Sequence, residues 1–404
     1  MVEKFITKKE EFNQPRGEIV CFITKKHKMS KILYLSFSGY TDHSGISKKK
    51  LGQIKGLKEC GYSVVNCFYA VNQKSGDRLW MVDDKVLVNL DSGIQAKIKK
   101  RIFYKPLTNY IKQHKIELVY MRSEHNASPF LIHFVRQLRK VGVKTVMEIP
   151  TYPYDQEYIT FKSKCFLLID KIFRKFLAKE LYSIVTYSNE ENIFGKRTIR
   201  ISNGIDFSSI RLKEKKSHEG ELHLIGVAEI HYWHGFDRVV AGLGDYYRMN
   251  TSDCKVFFHI VGEFCGERER NDILPLIKEH HLENYVVLYG SLFGSNLDDV
   301  FDIADIGIGS LGRHRSNITY IRTLKNREYA ARGIPFVYSE IDEDFEDTSF
   351  ILKVSADDSP VDIKQIIDFN SKIQESPIQI RDSVKHLSWR NQMQKVVEFK
   401  TLDK

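Results

Sequence analysis

Short apolar runs alternate with helical stretches from Lys31 almost to the end of the chain, and the alternation starts over past its middle. This rhythm constrains the fold most. Strands separated by helices pair in parallel, and a parallel sheet needs helices on both faces. The first series reads KILYLSF (31–37), SVVNCFYA (63–70), IELVYMR (116–122), KTVMEIP (144–150), SIVTYS (183–188) and RTIRISNG (197–204), with a hairpin pattern at 78–90. The second reads HLIGVAE (223–229), KVFFHIVGE (255–263), VVLYG (286–290), IGIGS (306–310) and FVYS (336–339). At 404 residues the chain exceeds one ordinary α/β core. The expected architecture is therefore α/β, with two doubly wound, Rossmann-like halves facing across a cleft. Their boundaries fall at 31–202 and 203–378. A terminal segment, 379–404, carries one helix from Arg381 to Phe399 that returns to the first half. Residues 1–30 are charged and read as an extension, with Met29 as an alternative start.

Ligands of such sheets sit at the carboxyl ends of the strands. The most suggestive stretch there runs from Arg313 to Pro335, RHRSNITYIRTLKNREYAARGIP. It brings Arg313, Arg315, Arg322, Lys325 and Arg327 together with one acid, Glu328, around a helix predicted over Leu324 to Arg332. Cations beside a helix N-terminus suit an anion such as phosphate; the alternative is a solvated basic helix. Downstream, Asp342-Glu343-Asp344 spells a DxD that could hold a metal, but it lies in an acidic stretch and reads better as a solvated loop. The loop from Gly39 to Gly45 is not GxGxxG, and no acid ends the second strand, so a dinucleotide is not expected. That loop serves either a close backbone approach to a substrate or an ordinary turn.

The formal net charge of +10 favours acidic partners: nucleic acid, phosphorylated small molecules or an anionic membrane face. No nucleic-acid recognition motif accompanies it, so no nucleic-acid partner is expected. The six cysteines form no CxxC pair and no zinc-ligand spacing, and are expected reduced and buried. Neither a bilayer-spanning run nor a signal peptide is seen, which points to a cytoplasmic site of action. The segment 161–181, FKSKCFLLIDKIFRKFLAKEL, places Phe166, Ile169, Phe173 and Phe176 on one helical face among many lysines. Such a helix suits peripheral contact with an anionic inner membrane face, or simply a place against the core.

The order of motifs resembles GT-B glycosyltransferases of the retaining, family-4 type found in bacterial capsule, exopolysaccharide and lipopolysaccharide synthesis. ISNGID (201–206) resembles the hinge opening the donor domain. FHIVGE, ending in Gly262 and Glu263, resembles the strand near the donor. REYAARGIP resembles the E-A-x-A-x-G-x-P element, and EIPTYPYDQE (148–157) a loop of exopolysaccharide transferases. The resemblance implies transfer of a sugar from a nucleotide-diphosphate donor, commonly a UDP-sugar, to a glycan or polyprenyl-linked acceptor. It implies retention of configuration, with no cofactor and no metal. Glu328 would hold the ribose hydroxyls, since a carboxylate accepts two hydrogen bonds from a vicinal diol. The glutamate usual eight positions earlier is Tyr320 here. The usual Arg/Lys pair falls near Glu229 and His234, so Arg313 and Lys325 are expected to carry the diphosphate, with His234, Gly235 and Gly262 beside it. Acceptor contacts are expected from His43, Gly45, Arg122, Glu148 and Tyr154. The same architecture also serves catalytically silent partner subunits and nucleotide-sugar epimerases.

Overall fold

The computed structural model describes residues 30–400, apart from 42–43, 125–126, 156–157, 159, 215–217 and 250–253. The extension expected at 1–30 thus lies almost wholly outside the described residues, as does His43.

The first half contains β1 (Lys31–Ser36), β2 (Ser63–Val71), β3 (Arg78–Val82), β4 (Lys85–Asn89), β5 (Leu118–Arg122), β6 (Lys144–Ile149), β7 (Ser183–Thr186), β8 (Asn192–Ile193) and β9 (Lys196–Arg200). Its helices are α1 (Gly45–Glu59), α2 (Gly93–Ile102), α3 (Lys105–Gln113), α4 (Pro129–Lys140) and α5 (Phe161–Glu180). The strands form one sheet in the order β4-β3-β2-β1-β5-β6-β7-β9-β8. Its middle is parallel; the predicted hairpin β3–β4 adds antiparallel strands at one edge.

The second half contains β10 (Glu221–Val227), β11 (Lys255–Val261), β12 (Val286–Gly290), β13 (Ile306–Ile308), β14 (Phe336–Tyr338) and β15 (Ile351–Lys353). Between and after them run α6 (Phe236–Arg248), α7 (Glu267–Glu279), α8 (Ser295–Ile303), α9 (Leu324–Arg332) and α10 (Ile363–Lys372). Its sheet is wholly parallel, ordered β12-β11-β10-β13-β14-β15. The strand order reverses between β10 and β13, which opens the crevice where such sheets bind ligands.

Local chemistry sets the element ends. Ser128 caps α4 through its hydroxyl, and Pro129 follows at the first helical position. Gly333 closes α9 in the left-handed region, φ +74°. Two short strands, β8 and β15, have too few residues to show a period in the sequence. The terminal helix is not continuous: α11 (Pro377–Ser383) is separated by a tight turn from α12 (Trp389–Val397), because Ser388 caps a new helix at the Asn391 N–H. Trp389, Met393 and Val396 of α12 pack with Ile54 and Leu57 of α1, tying the chain end to the first half. Of the cysteines expected to be buried, Cys67 is; Cys60 and Cys254 are half-buried, Cys165 and Cys265 are exposed, and Cys21 lies outside the described residues.

Candidate functional site

Two loops leaving the reversal point of the second sheet meet at its carboxyl edge. One leaves β10 through a tight turn, Tyr232–His234, and enters α6 at Gly235. The other leaves β13 through the turn Arg313–Ser316. Leu311 N–H donates to the His234 carbonyl at 3.0 Å, and the buried Arg238 donates to the Leu311 carbonyl at 2.5 Å, so the loops are held together. Gly235 lies at φ +67°, where a Cβ would strike Leu311. Gly262, at φ +132°, lies so close to the Ala228 carbonyl that no side chain fits.

Arg313, Lys325 and His234 are brought together at this junction. The Arg313 guanidinium lies 5.2 Å from the Trp233 ring centre, and Lys325 Nζ 5.2 Å from that of Phe236. Lys325 Nζ is enclosed and has no hydrogen-bond partner among the described residues. Burial, then the charge of Arg313, pushes its ammonium down to about 7, against the opposing influence of Glu340. Burial, then Lys325, Arg313 and His231, holds the His234 imidazole well below its usual range. Its Nδ1 accepts the His231 N–H at 3.1 Å, which leaves the proton on Nε2. His234 therefore offers a neutral donor rather than a positive charge.

The remaining cations of the stretch are spent on structure. Arg315 pairs with Asp237 at 2.7 Å and Asp358 at 2.6 Å. Arg322 reaches Glu343 at 3.1 Å and the Ile201 carbonyl at 3.0 Å, across the junction of the halves. Arg327 is buried against Asp342 at 2.5 Å, pairs with Asp344, and donates to Ser202 at 2.9 Å. The solvated loop expected at Asp342-Glu343-Asp344 is thus corrected. Asp342 is fully buried, and two of the three acids lock α9 to the hinge because a buried guanidinium needs compensating charge.

Glu328 follows Lys325 by three residues along the same flank of α9. It is not a lone carboxylate: Oε1 accepts from Arg332 at 3.0 Å, and Arg332 also pairs with Asp298 of α8 at 2.7 Å. Among the described residues Oε2 has no hydrogen-bond partner. One group was not expected. Glu340, at the carboxyl end of β14, is buried, and its Oε1 accepts the N–H groups of Arg313 at 2.6 Å and His314 at 3.3 Å. Its Oε2 is enclosed and has no hydrogen-bond partner among the described residues. Its place at the end of a parallel strand was the signal that could have found it.

From the first half, Gly45 opens α1 behind the capping hydroxyl of Ser44. A Cβ on Gly45 would stand 3.7 Å from Leu324 Cδ1, so the start of α1 faces the start of α9 across the cleft. Two expected acceptor residues are withdrawn into the interior. Glu148 has no exposed surface; it accepts from Gln53 at 2.5 Å, Tyr120 at 2.6 Å and Arg122 at 2.7 Å, with Lys49 at 3.6 Å. Tyr154 is buried and donates to Asp170 at 2.6 Å. Arg122 retains a little exposure but is committed to Glu148. A residue at a strand end can point into the network under the sheet edge as readily as into the cleft.

No family model and no curated protein matches the sequence. Solved structures do resemble the fold. Sucrose-phosphate synthase from Thermosynechococcus elongatus superposes with a TM-score of 0.57 at 14% identity, over 90% of this chain and 94% of its own. Anabaena HepE in complex with UDP gives 0.58 at 14%, over 91% and 98%. The catalytic domain of starch synthase IV from Arabidopsis thaliana, bound to ADP and acarbose, gives 0.59 at 10%, over 92% and 98%. The chain has the GT-B fold: two Rossmann-like domains facing across a cleft.

Proposed function

We propose that this chain transfers a sugar from a nucleotide-diphosphate donor, a UDP-sugar in the simplest case, to a glycan or lipid-linked acceptor in surface polysaccharide synthesis. The observation carrying this reading is the enclosed, unpartnered Lys325 ammonium beside Arg313, with Glu328 one turn along the same helix flank. An amine held near its neutral form in a protein interior is costly unless a ligand supplies the missing charge. A diphosphate would do so, and in this reading Glu328 Oε2 accepts from the attached ribose. As the glycosyl–phosphate bond breaks, negative charge grows on the departing diphosphate, and each well-placed cation lowers that barrier by about 3–4 kcal/mol. The His234 Nε2–H adds a neutral donor. Retention of configuration and independence from metal belong to this proposal, and no protein nucleophile is named. The GT-B neighbours with UDP or ADP in the structure support the choice of donor class.

The test is a thermal-shift screen of the full chain with UDP, ADP and their glucose conjugates, repeated on Glu328→Ala, followed by assays of donor hydrolysis and transfer. Stabilisation by a nucleotide diphosphate that weakens in the variant supports the reading; no shift with any nucleotide ends it. A second reading, a catalytically silent partner subunit, is favoured by Tyr320, which stands exposed where a glutamate is usual. Binding without hydrolysis or transfer by the purified chain would select it.

A further inference from the structure

Of the 20 large apolar side chains exposed among the described residues, 10 fall on one side of the first domain: eight on α2 and α5, Phe103 just after α2, and Phe130 at the start of α4. Solvent-facing apolar residues scattered singly need no explanation, but a concentration of this kind does. Along α5 the exposed stripe is Phe161, Leu168, Ile169, Ile172 and Phe176; Phe161 is 85% exposed and Leu168 62%. Ile169 and Phe176 of the face expected from the sequence belong to it, whereas Phe166 and Phe173 do not. Phe173 packs against the core, and Leu167 and Leu177 are buried, so α5 is apolar towards the core and again towards solvent. On α2, Ile94, Ile98 and Ile102 recur every fourth residue, and all three are exposed. The helices are neighbours: the Arg101 guanidinium of α2 lies 4.1 Å from the Phe166 ring centre of α5. A groove of about 360 Å³ between α2 and α4, lined by Ile102, Phe103, Phe130 and Lys99 among others, continues the apolar surface.

Charge decides what covers this surface. The outward side of α5 carries Lys162, Lys164, Lys171, Lys175 and Lys179, and α2 carries Lys97, Lys99, Lys100 and Arg101. Neither helix shows a solvent-facing acid. Asp170 and Glu180, the acids of α5, are buried, bonded to Tyr154 and to Arg136 respectively. Beside the helices, Asp91, Glu124 and Asp155 pair with Lys99, Lys100 and Lys171, which leaves Lys97, Arg101, Lys162, Lys164, Lys175 and Lys179 in excess. An isoleucine and phenylalanine stripe flanked by such an excess of cations matches an interface of acyl chains beneath anionic headgroups. A second protein copy would set these same cations against each other. Among the described residues no helix is long and apolar enough to cross a membrane, so the fit is to lying on a bilayer.

We infer that α2 and α5 form one two-helix platform that docks this protein on an anionic lipid bilayer. The amino end of α5 follows the loop that leaves the carboxyl end of β6, and α4 starts just past the carboxyl end of β5. The platform therefore adjoins the cleft edge of the first sheet, where a lipid-borne acceptor would enter. Only that last consequence rests on the transferase reading; docking itself does not.

The experiment is flotation of the full chain with phosphatidylcholine vesicles, with and without 30 mol% phosphatidylglycerol, at low and high salt. Binding to the anionic vesicles that falls at least ~10-fold in neutral vesicles or high salt is expected. The double variant Ile98→Ser/Ile172→Ser should lose ~10-fold in binding while keeping its melting temperature and its nucleotide-induced thermal shift. Lys175→Glu/Lys179→Glu should lose binding in the same way. Absence of flotation with anionic vesicles, or flotation indifferent to both double variants, overturns the proposal. So does a dimer in solution that the Ile98→Ser/Ile172→Ser variant dissociates, because a second copy would then own the surface. Flotation, melting temperature and oligomeric state use neither nucleotide nor sugar transfer, so failure of the donor assignment leaves them intact.

Discussion

Glu340 accepts the backbone N–H of Arg313 at 2.6 Å, which seats a carboxylate at the start of the turn that carries the arginine into the cleft. The same Glu340 lies close enough to Lys325 to oppose the loss of its proton. One acid just past the carboxyl end of β14 thus serves both the Arg313 turn and the Lys325 ammonium, and among the described residues its second oxygen has no hydrogen-bond partner. The site holds an excess of positive charge in a place that water reaches poorly, which is the condition for binding an anion strongly.

The first consequence concerns protons. Lys325 has a pKa near 7 in the unliganded chain, lowered from the ordinary lysine value by burial and then by Arg313. A bound diphosphate favours the charged form and raises that value again, so binding at pH 8 takes up a proton. Calorimetry in buffers of different ionisation enthalpy should show uptake approaching one proton at pH 8, and UDP affinity should fall by up to about tenfold per pH unit above that. Binding at pH 8 without net proton uptake would remove Lys325 from the diphosphate.

Lys325→Met should separate stability from binding. The native lysine binds its proton less tightly than the unfolded chain does, so it destabilises the fold; that penalty is complete below pH 7 and fades as pH rises towards the unfolded value. The methionine variant should melt ~2 °C or more higher at pH 7 while binding UDP about 10- to 100-fold more weakly. A variant that melts lower and binds normally would contradict both halves.

Glu328→Ala tests the nucleoside end alone. Removing the ribose acceptor should weaken UDP about 10-fold or more and leave inhibition by inorganic pyrophosphate unchanged. Equal losses for both ligands would mean that the substitution disturbs α9 through Arg332 and Asp298 instead.

The acids of the DxD should behave as structure. Asp342→Ala leaves the buried Arg327 with Asp344 as its remaining acid, and its expected effect is a loss of about 1–3 kcal/mol in stability. A chelator should leave donor binding unchanged. Chelator-sensitive binding would turn attention to Glu229, His231 and Cys265, whose ligand atoms lie within 4.8 Å of one another near the mouth of the same cleft.

Glu148→Gln should likewise act on folding before acceptor use. The charge it removes is the compensation for Arg122 and Lys49 beneath the first sheet. A melting temperature several degrees lower, with the Michaelis constant for the acceptor unchanged, is the expected pattern; a normal melting temperature with that constant raised would restore Glu148 to the cleft.

The architecture was legible because parallel strands, covered on both faces, leave continuous apolar runs that helices punctuate. The hairpin at 78–90, the strand at 306 and the helix from Leu324 to Arg332 could be read from such runs and from turn residues alone. The wedge of Trp389 against α1 and the break at Ser388 could not, since a capping hydroxyl competes with helix continuation on terms set by the neighbouring surface. For the candidate site, the sequence by itself determined that cations gather near the end of β13. Which of them remain for a ligand was decided only by the tertiary structure. Arg315 and Arg327 meet acids that no local pattern pairs with them, whereas Lys325 is enclosed without a hydrogen-bond partner among the described residues. Charge is written residue by residue, but its neutralisation is a matter of distance through space, and folding alone sets those distances.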